Sequence, residues 1–443
     1  MSSESPVVAI VTTQPWGQVA RLAMRFAAYG SPLTAICPPS SQLNQLGSRG
    51  LVAACHPLRA IEPLRSIERA VARSGADFLV PADDLAVWLL HALSRSSPRH
   101  AQLVERSMGS AANYGLIRSR HRLLALAGEL GIAAPRTEQV RSAAQVEGVV
   151  RGWGTGGPFV IKKDGTWGGG GVAVVGGLGE LPERYAALVR RPGLRARLKQ
   201  GVMHADPGAF VTLPELGEPE MSVQEYVEGV AANAMFACDR GRVLGGVQAR
   251  VVASKAKTGP ALMIQLMDDP RIARAGQLLA ESLQLSGFFG LDFILSDAAG
   301  GAPYLIEMNP RCTQLGHVAV RGQADLAGML WAAWTGGEAP PAGPAGLSDS
   351  IAFYPQALEW AAGSPFLEDA RLDVGEEERQ VVDALPSLQG ALPARMYRAV
   401  RKPIRRWTQA PVPSRVGEIF YFNQRWSGLG SVAGGSFHST IKA

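Results

Sequence analysis

The chain has 443 residues, of which 47% are hydrophobic and 19% charged, and it carries a formal net charge of +6. At roughly one domain per 150 residues that length asks for about three domains, and the composition excludes wholesale disorder. Glu4 stands before a short apolar run without a basic leader, and no stretch nears the roughly 18 apolar residues of a membrane span, so a cytoplasmic protein is expected. Cys37, Cys55, Cys238 and Cys312 are scattered with no C-x-x-C pair, which fits reduced thiols rather than a disulfide framework. The basic balance suits a protein that holds phosphates; with no recognisable binding module, nucleic acid is disfavoured as a partner.

In chain order, an apolar run at 7–12, a helical pattern near 17–29, the run 33–37 and the segment DFLVPADD followed by another helix read as a parallel α/β domain. Its first turn contains only Gly17, so the glycine triplet of a dinucleotide-binding Rossmann unit is missing and a dehydrogenase is disfavoured. A helix begins near Ser119 and stops at Gly131, which places a boundary near 115. The Gly-, Pro- and Ala-rich tract at about 333–350 reads as a linker to a third segment, 351–443.

Residues 158–175, PFVIKKDGTWGGGGVAVV, set two β-like runs around a glycine-rich loop at 163–171. Successive N–H groups of Gly168, Gly169 and Gly170 can wrap phosphate oxygens, while Lys162 supplies a point charge at the strand end. The segment at 223–229 is an apolar strand with polar alternation that ends at Gly229.

Residues 290–311, GLDFILSDAAGGAPYLIEMNPR, read as a hairpin. With a loop of about six residues, Asp292 faces Glu307 with Cβ atoms ~5 Å apart, and Asn309 shares the Glu307 face. Opposed carboxylates repel, and a divalent cation between them removes that cost while using the hard oxygens Mg²⁺ prefers.

A strand ending in Lys162, a glycine-rich hairpin and a distant acid hairpin, in that order, resemble the ATP-grasp superfamily. The likeness is to ligases of the carboxylate–amine type, with a module of the biotin carboxylase or carbamoyl-phosphate synthetase kind. The resemblance spans about 320 residues. It implies α/β and α+β architecture: a Rossmann-like pre-ATP-grasp domain at 1–115, a two-subdomain ATP-grasp module at 116–335 and a C-terminal α+β domain or cap at 351–443. By the same resemblance, ATP is held by Arg120 and Lys162, by the loop glycines, and by the hinge positions Gln224, Glu225 and Val227. Arg118 and Arg122 stand as alternatives to Arg120, where the family usually has lysine.

Ala231 replaces a glutamate the family often uses for the ribose, with Glu228 or Asn233 as candidate substitutes. Asp292, Glu307 and Asn309 match the ligands of Mg²⁺, or of Mn²⁺ in its place. Arg311 matches the arginine that steadies an anionic substrate or acyl phosphate, so Arg311 and Lys162 are the catalytic candidates. Cys312 and His317, beside it, show no metal or nucleophile spacing and read as packing residues.

The implied reaction joins a small-molecule carboxylate to an amine with release of ADP and phosphate. The competing reading is an ATP-binding regulatory or scaffold protein. A homodimer is the family-level expectation. The basic run from Arg395 to Arg406 reads as a solvated helix face or a contact for an acidic partner. No Met-Lys-Met biotin-acceptor segment is present.

Overall fold

The computed structural model describes residues 5–14, 17–47, 49–59, 62–165, 171–190, 220–254, 259–338, 341–344, 346–361, 364–384 and 420–421. The basic run at 395–406 lies outside the described residues.

The chain opens with β1 (Val8–Val11), α1 (Gly17–Ala28), β2 (Leu33–Cys37), α2 (Gln42–Gly47), β3 (Ala54–Pro57), α3 (Pro63–Ser74) and β4 (Phe78–Pro81). The strands form a parallel sheet in the order β3-β2-β1-β4. All residues of β1, β2 and β4 are buried, as a parallel sheet covered on both faces requires, and this is why those runs read as continuously apolar. From the carboxyl end of β4 the chain enters α4 (Asp84–Ser96), whose N-cap Asp83 accepts from the Ala86 N–H. Asp83 also accepts from the hydroxyls of Thr12 and Thr13, which ties the carboxyl ends of β1 and β4 together. The helices α5 (Pro98–Met108), α6 (Tyr114–Ile117) and α7 (Arg120–Glu129) lead out of this domain.

A second sheet consists of β5 (Thr137–Val140), β6 (Phe159–Lys163), β7 (Val172–Val175) and β8 (Met221–Glu225), in the order β5-β8-β6-β7. Phe159, Ile161, Met221 and Val223 point to one face and pack with Val146 and Val150 of α8 (Ala143–Gly152) and with Leu181 of α9 (Leu181–Val189). Period two therefore sends Lys162, Ser222 and Gln224 to the other face.

The third and largest sheet runs β13-β12-β9-β10-β11-β14-β15, with β16 on β10. Its strands are β9 (Gly229–Asp239), β10 (Arg242–Ser254), β11 (Ala261–Met267), β12 (Gly287–Ser296), β13 (Ala302–Asn309), β14 (Ser350–Ala352), β15 (Arg371–Leu372) and β16 (Phe420–Tyr421). The described part of the segment from 351 onward, expected as a C-terminal α+β domain or cap, contributes strands to this sheet. β14 extends this sheet through β11, β15 adds to β14, and β16 pairs with β10.

One buried apolar cluster runs from Val11 and Leu89 of the first domain to Phe236 and Phe289 of the large sheet. Burial of that continuous surface fixes the first domain against the sheet that carries the acid hairpin. A second tie is polar. Asp373 is fully buried and accepts from Arg21 of α1, from His317 at 2.8 Å and from the Tyr354 N–H at 2.7 Å. Burial pushes the Asp373 carboxyl up, but the bond from His317 and the charge of Arg21 outweigh it and hold the group below its usual range.

Removing one member of a buried pair leaves an uncompensated charge. Asp373→Ala is therefore expected to lower the unfolding free energy by about 3–5 kcal/mol in urea titrations, and Arg21→Met with Asp373→Leu to recover most of it. An unchanged midpoint in Asp373→Ala would show that the cluster adds nothing.

Candidate active site

The acid hairpin reaches its expected pairing by an unexpected route. Its loop is residues 297–301, and the register starts at Ser296↔Ala302. Continued unbroken, that register sets Asp292 against Ile306; a shift between Asp292 and Phe293 sets it against Glu307 instead. Ile306 is thus the extra residue of a β-bulge, a device that re-aims side chains beside functional sites. The carbonyl of Ile306 accepts from Lys162 Nζ at 3.2 Å, so the bulge also ties the second sheet to the third.

Asp292 is half-buried between two amides. Asn233, its register partner on β9, donates to Oδ1 at 2.6 Å, and Asn309 donates to Oδ2 at 3.0 Å. Asn233 therefore stands in the acid cluster, on the strand next to the hairpin. Burial, then the charge of Glu307, push the Asp292 carboxyl up to about 6. Glu307 moves the other way. Burial raises it, but Arg120 and Lys162 prevail and hold it below the usual carboxylate range.

Arg120 is the first residue of α7, with Ser119 as N-cap. Its guanidinium donates to Glu307 Oε1 and to Asp164 Oδ1, each at 2.6 Å, while its N–H donates to Asp164 Oδ2 at 3.1 Å. A carboxylate at a helix N-terminus is favourable in itself, so Asp164 fixes both the helix start and the side chain. Arg118 lines the cleft described below, whereas Arg122 is exposed. Lys162 is buried, and burial, reinforced by Arg120, brings its ammonium down to about 8.

Arg311 follows the hairpin directly. It donates to Asp84 at the start of α4 at 2.8 Å and to Asn309 Oδ1 at 3.1 Å. Burial works against its charge, but Asp84 overcomes this and raises it above the ordinary arginine value. The Cys312 N–H bonds the carbonyl of Pro81, the last residue of β4. Arg311 is thereby delivered to the carboxyl end of the parallel sheet, beside the β1/β4 switch where open α/β sheets bind ligands. Cys312 is a buried thiol raised to about 12 by burial, and His317 is engaged by Asp373.

The other candidates fall in different places. Gln224 shares the Lys162 face and donates to Thr137 Oγ1 at 3.1 Å. The Glu225 carboxylate pairs with Arg136 at 2.8 Å on the exposed side, and its N–H is taken by the Arg136 carbonyl. Val227 is half-buried in the hinge. Gly168, Gly169 and Gly170 lie outside the described residues.

Four residues at the site escaped sequence reasoning. Asp164 follows the two lysines directly, and Asp84 begins the helix after β4; the strand-end rule for α/β sheets could have flagged Asp84. Trp88 lies one turn further along α4. Ser222 is the register partner of Lys162, 2% exposed, and its hydroxyl has no hydrogen-bond partner among the described residues.

Among the described residues no three His, Cys, Asp or Glu side chains converge as a metal cage. Asp292, Glu307 and Asn309 instead supply two carboxylates and an amide oxygen, the partial set used by Mg²⁺ when phosphate oxygens complete its shell. Burial first and the Glu307 charge second push the Asp292 carboxyl up, and a hard divalent cation between the paired oxygens would offset both, so the residues fit such an ion.

A buried hydroxyl without a partner costs about 1–3 kcal/mol. Ser222→Ala is accordingly expected to leave the ligand-free protein at least as stable in chemical denaturation, and a loss beyond about 1 kcal/mol would contradict the orphaned state of that hydroxyl.

Comparison with known proteins agrees with this architecture. Residues 206–314 match the family described as the ATP-grasp domain. Among solved structures, carboxyaminoimidazole ribonucleotide synthase from Aspergillus clavatus, complexed with ATP, is 14% identical with a TM-score of 0.54, covering 76% of this chain and 78% of its own. Biotin carboxylase from Campylobacter jejuni, as a beta-gamma-ATP complex, is 15% identical with a TM-score of 0.53, over 76% of this chain and 72% of its own. L-amino acid ligase from Bacillus licheniformis is 15% identical with a TM-score of 0.50, over 77% and 78%. At such identities the likeness speaks for the fold. No curated protein matches the sequence. No described helix is long and apolar enough to cross a membrane. Residues 206–314 thus match the ATP-grasp domain family, and over about three quarters of its length the chain shares the fold of these structures.

Proposed function

We propose that this protein is an ATP-dependent ligase that activates a carboxylate as an acyl phosphate and passes the acyl group to an amine, releasing ADP and phosphate. The observation that carries the reading is the Asp292–Glu307 rung with Asn309 beside it, faced by Lys162 and Arg120. The similar structures support it by name, being a synthase and a carboxylase in ATP complexes and an L-amino acid ligase.

On this reading residues 116–335 clamp the nucleotide between the second and third sheets, and 1–115 contribute to the acceptor side. Asp292, Glu307 and Asn309 would hold Mg²⁺, which would supply charge neutralisation of the triphosphate. Arg120 and Lys162 release their present partners and take phosphate oxygens. Ser222, opposite Lys162, offers a donor to the same group. The hinge at Gln224, Glu225 and Val227 borders the base.

Arg311, already fixed by Asp84 and Asn309, orients the substrate carboxylate for in-line attack on the γ-phosphorus. A planar guanidinium can hold two oxygens of the resulting acyl phosphate. The amine nitrogen then attacks the acyl carbon and phosphate departs. The reduced cysteines and the absence of a described spanning helix are compatible with cytoplasmic residence.

The test is ADP and phosphate release across a panel of acids and amines. Glu307→Gln should lower turnover by on the order of 10²-fold or more, because it weakens an electrostatic contribution concentrated on the transferred phosphoryl group. Turnover near wild type in that variant would refute the assignment. Stoichiometric ATP binding with no ADP release under any acid would instead favour a regulatory or scaffold role.

A further inference from the structure

A small solvent-open cleft of about 50 Å³ lies where the first domain meets the acid hairpin. Its lining is of two kinds: apolar residues, Trp88, Ile117, Leu123, Met308 and Pro310, and charged residues, Asp84, Arg118, Arg120, Asp164 and Glu307. Glu307 and Arg120 place its charged end at the phosphate-transfer position of the proposed reaction.

Asp84 and Trp88 come from the same face of α4, one turn apart. Asp84 fixes Arg311, and the Trp88 indole lies against Gly165, where a Cβ would fall 2.3 Å from its Cη2. Gly165 has φ +78, so that position tolerates the close approach only as glycine. A half-buried indole held in this way gives the cleft a flat, rigid apolar floor.

We propose, resting on the ligase reading, that this cleft selects the acid substrate, and that the acid has an apolar body the size of a phenyl ring or branched alkyl chain lying on Trp88. Its carboxylate points to the Arg120–Arg311 end. The charged lining argues against a dicarboxylic acid, because a second carboxylate meets Asp84, whose partner is Arg311, and Asp164, which Arg120 leaves when it takes phosphate. A one-carbon or two-carbon acid leaves the apolar lining in water, with no gain from burying it.

Activated acids can be read without knowing the natural amine, by trapping with hydroxylamine: its nitrogen attacks the acyl carbon, phosphate leaves and a hydroxamate forms. The full-length protein with MgATP is given acetate, isovalerate, phenylacetate and succinate, and in parallel glycine, leucine, phenylalanine and aspartate. We expect kcat/KM for the apolar acids to exceed that for acetate or glycine by on the order of tenfold or more. Trp88→Ala should collapse that ratio, and Trp88→Phe, which keeps a ring, should retain most of it.

Equal use of all acids, preference for the small or dicarboxylic ones, or an unaltered ratio in Trp88→Ala overturns the inference. Calorimetric binding of the same acids to protein loaded with Mg²⁺ and a non-hydrolysable ATP analogue separates it from the ligase reading. Selective binding of apolar acids without any hydroxamate refutes the ligase and leaves the cleft assignment standing. Hydroxamate from small acids alone does the reverse, and no binding of any acid defeats the assignment of the cleft.

Discussion

Two carboxylates on one rung of a β-ribbon constrain everything around them. Across a spacing of ~5 Å, their mutual repulsion at the effective dielectric of a protein interior is on the order of 3 kcal/mol. The chain distributes that cost unevenly. Glu307 receives Arg120 and the nearby Lys162 and stays well ionised, while Asp292 receives two amide donors and is pushed toward its neutral form. Such a split between neighbouring acids marks sites that await a cation.

The surrounding ion pairs are held in a form that can be exchanged. Arg120 bridges Asp164 and Glu307, Arg311 bridges Asp84 and Asn309, and Lys162 rests on the carbonyl that the bulge at Ile306 presents. Each cation belongs to one structural unit and binds a partner in another, so the three units are locked in mutual orientation before any ligand arrives. On the proposed reading, the triphosphate takes over Arg120 and Lys162, while Arg311 keeps its contacts to Asp84 and Asn309. The apolar continuity from Leu89 to Phe289 keeps the geometry fixed while the polar partners change.

Much of this was legible from residue types and period. Buried parallel strands showed as unbroken apolar runs, and alternation along the segment at 290–309 assigned Asp292 and Glu307 to one rung. The bulge was not legible, because a register shift depends on how β13 is pulled by Lys162 and its neighbours, and no residue type announces it; the expected loop of about six residues reached the right pairing by a different count. Asp84 and Trp88 were missed for a related reason. Their place at the site comes from packing the first domain against the hairpin, a long-range contact with no local pattern. The segment from 351 read as a C-terminal α+β domain or cap because the linker-like tract before it says nothing about β14 adding to the edge at β11.

The central claim is that this network is a receptor for a magnesium-bound triphosphate. Calorimetric titration of the full-length protein with ATP, with Mg²⁺ present and with the metal chelated, tests it most directly. The account predicts one-to-one uptake that strengthens markedly with Mg²⁺ and weakens when Asp292 is replaced by alanine. No uptake of ATP, or uptake indifferent to both the metal and Asp292, would contradict it.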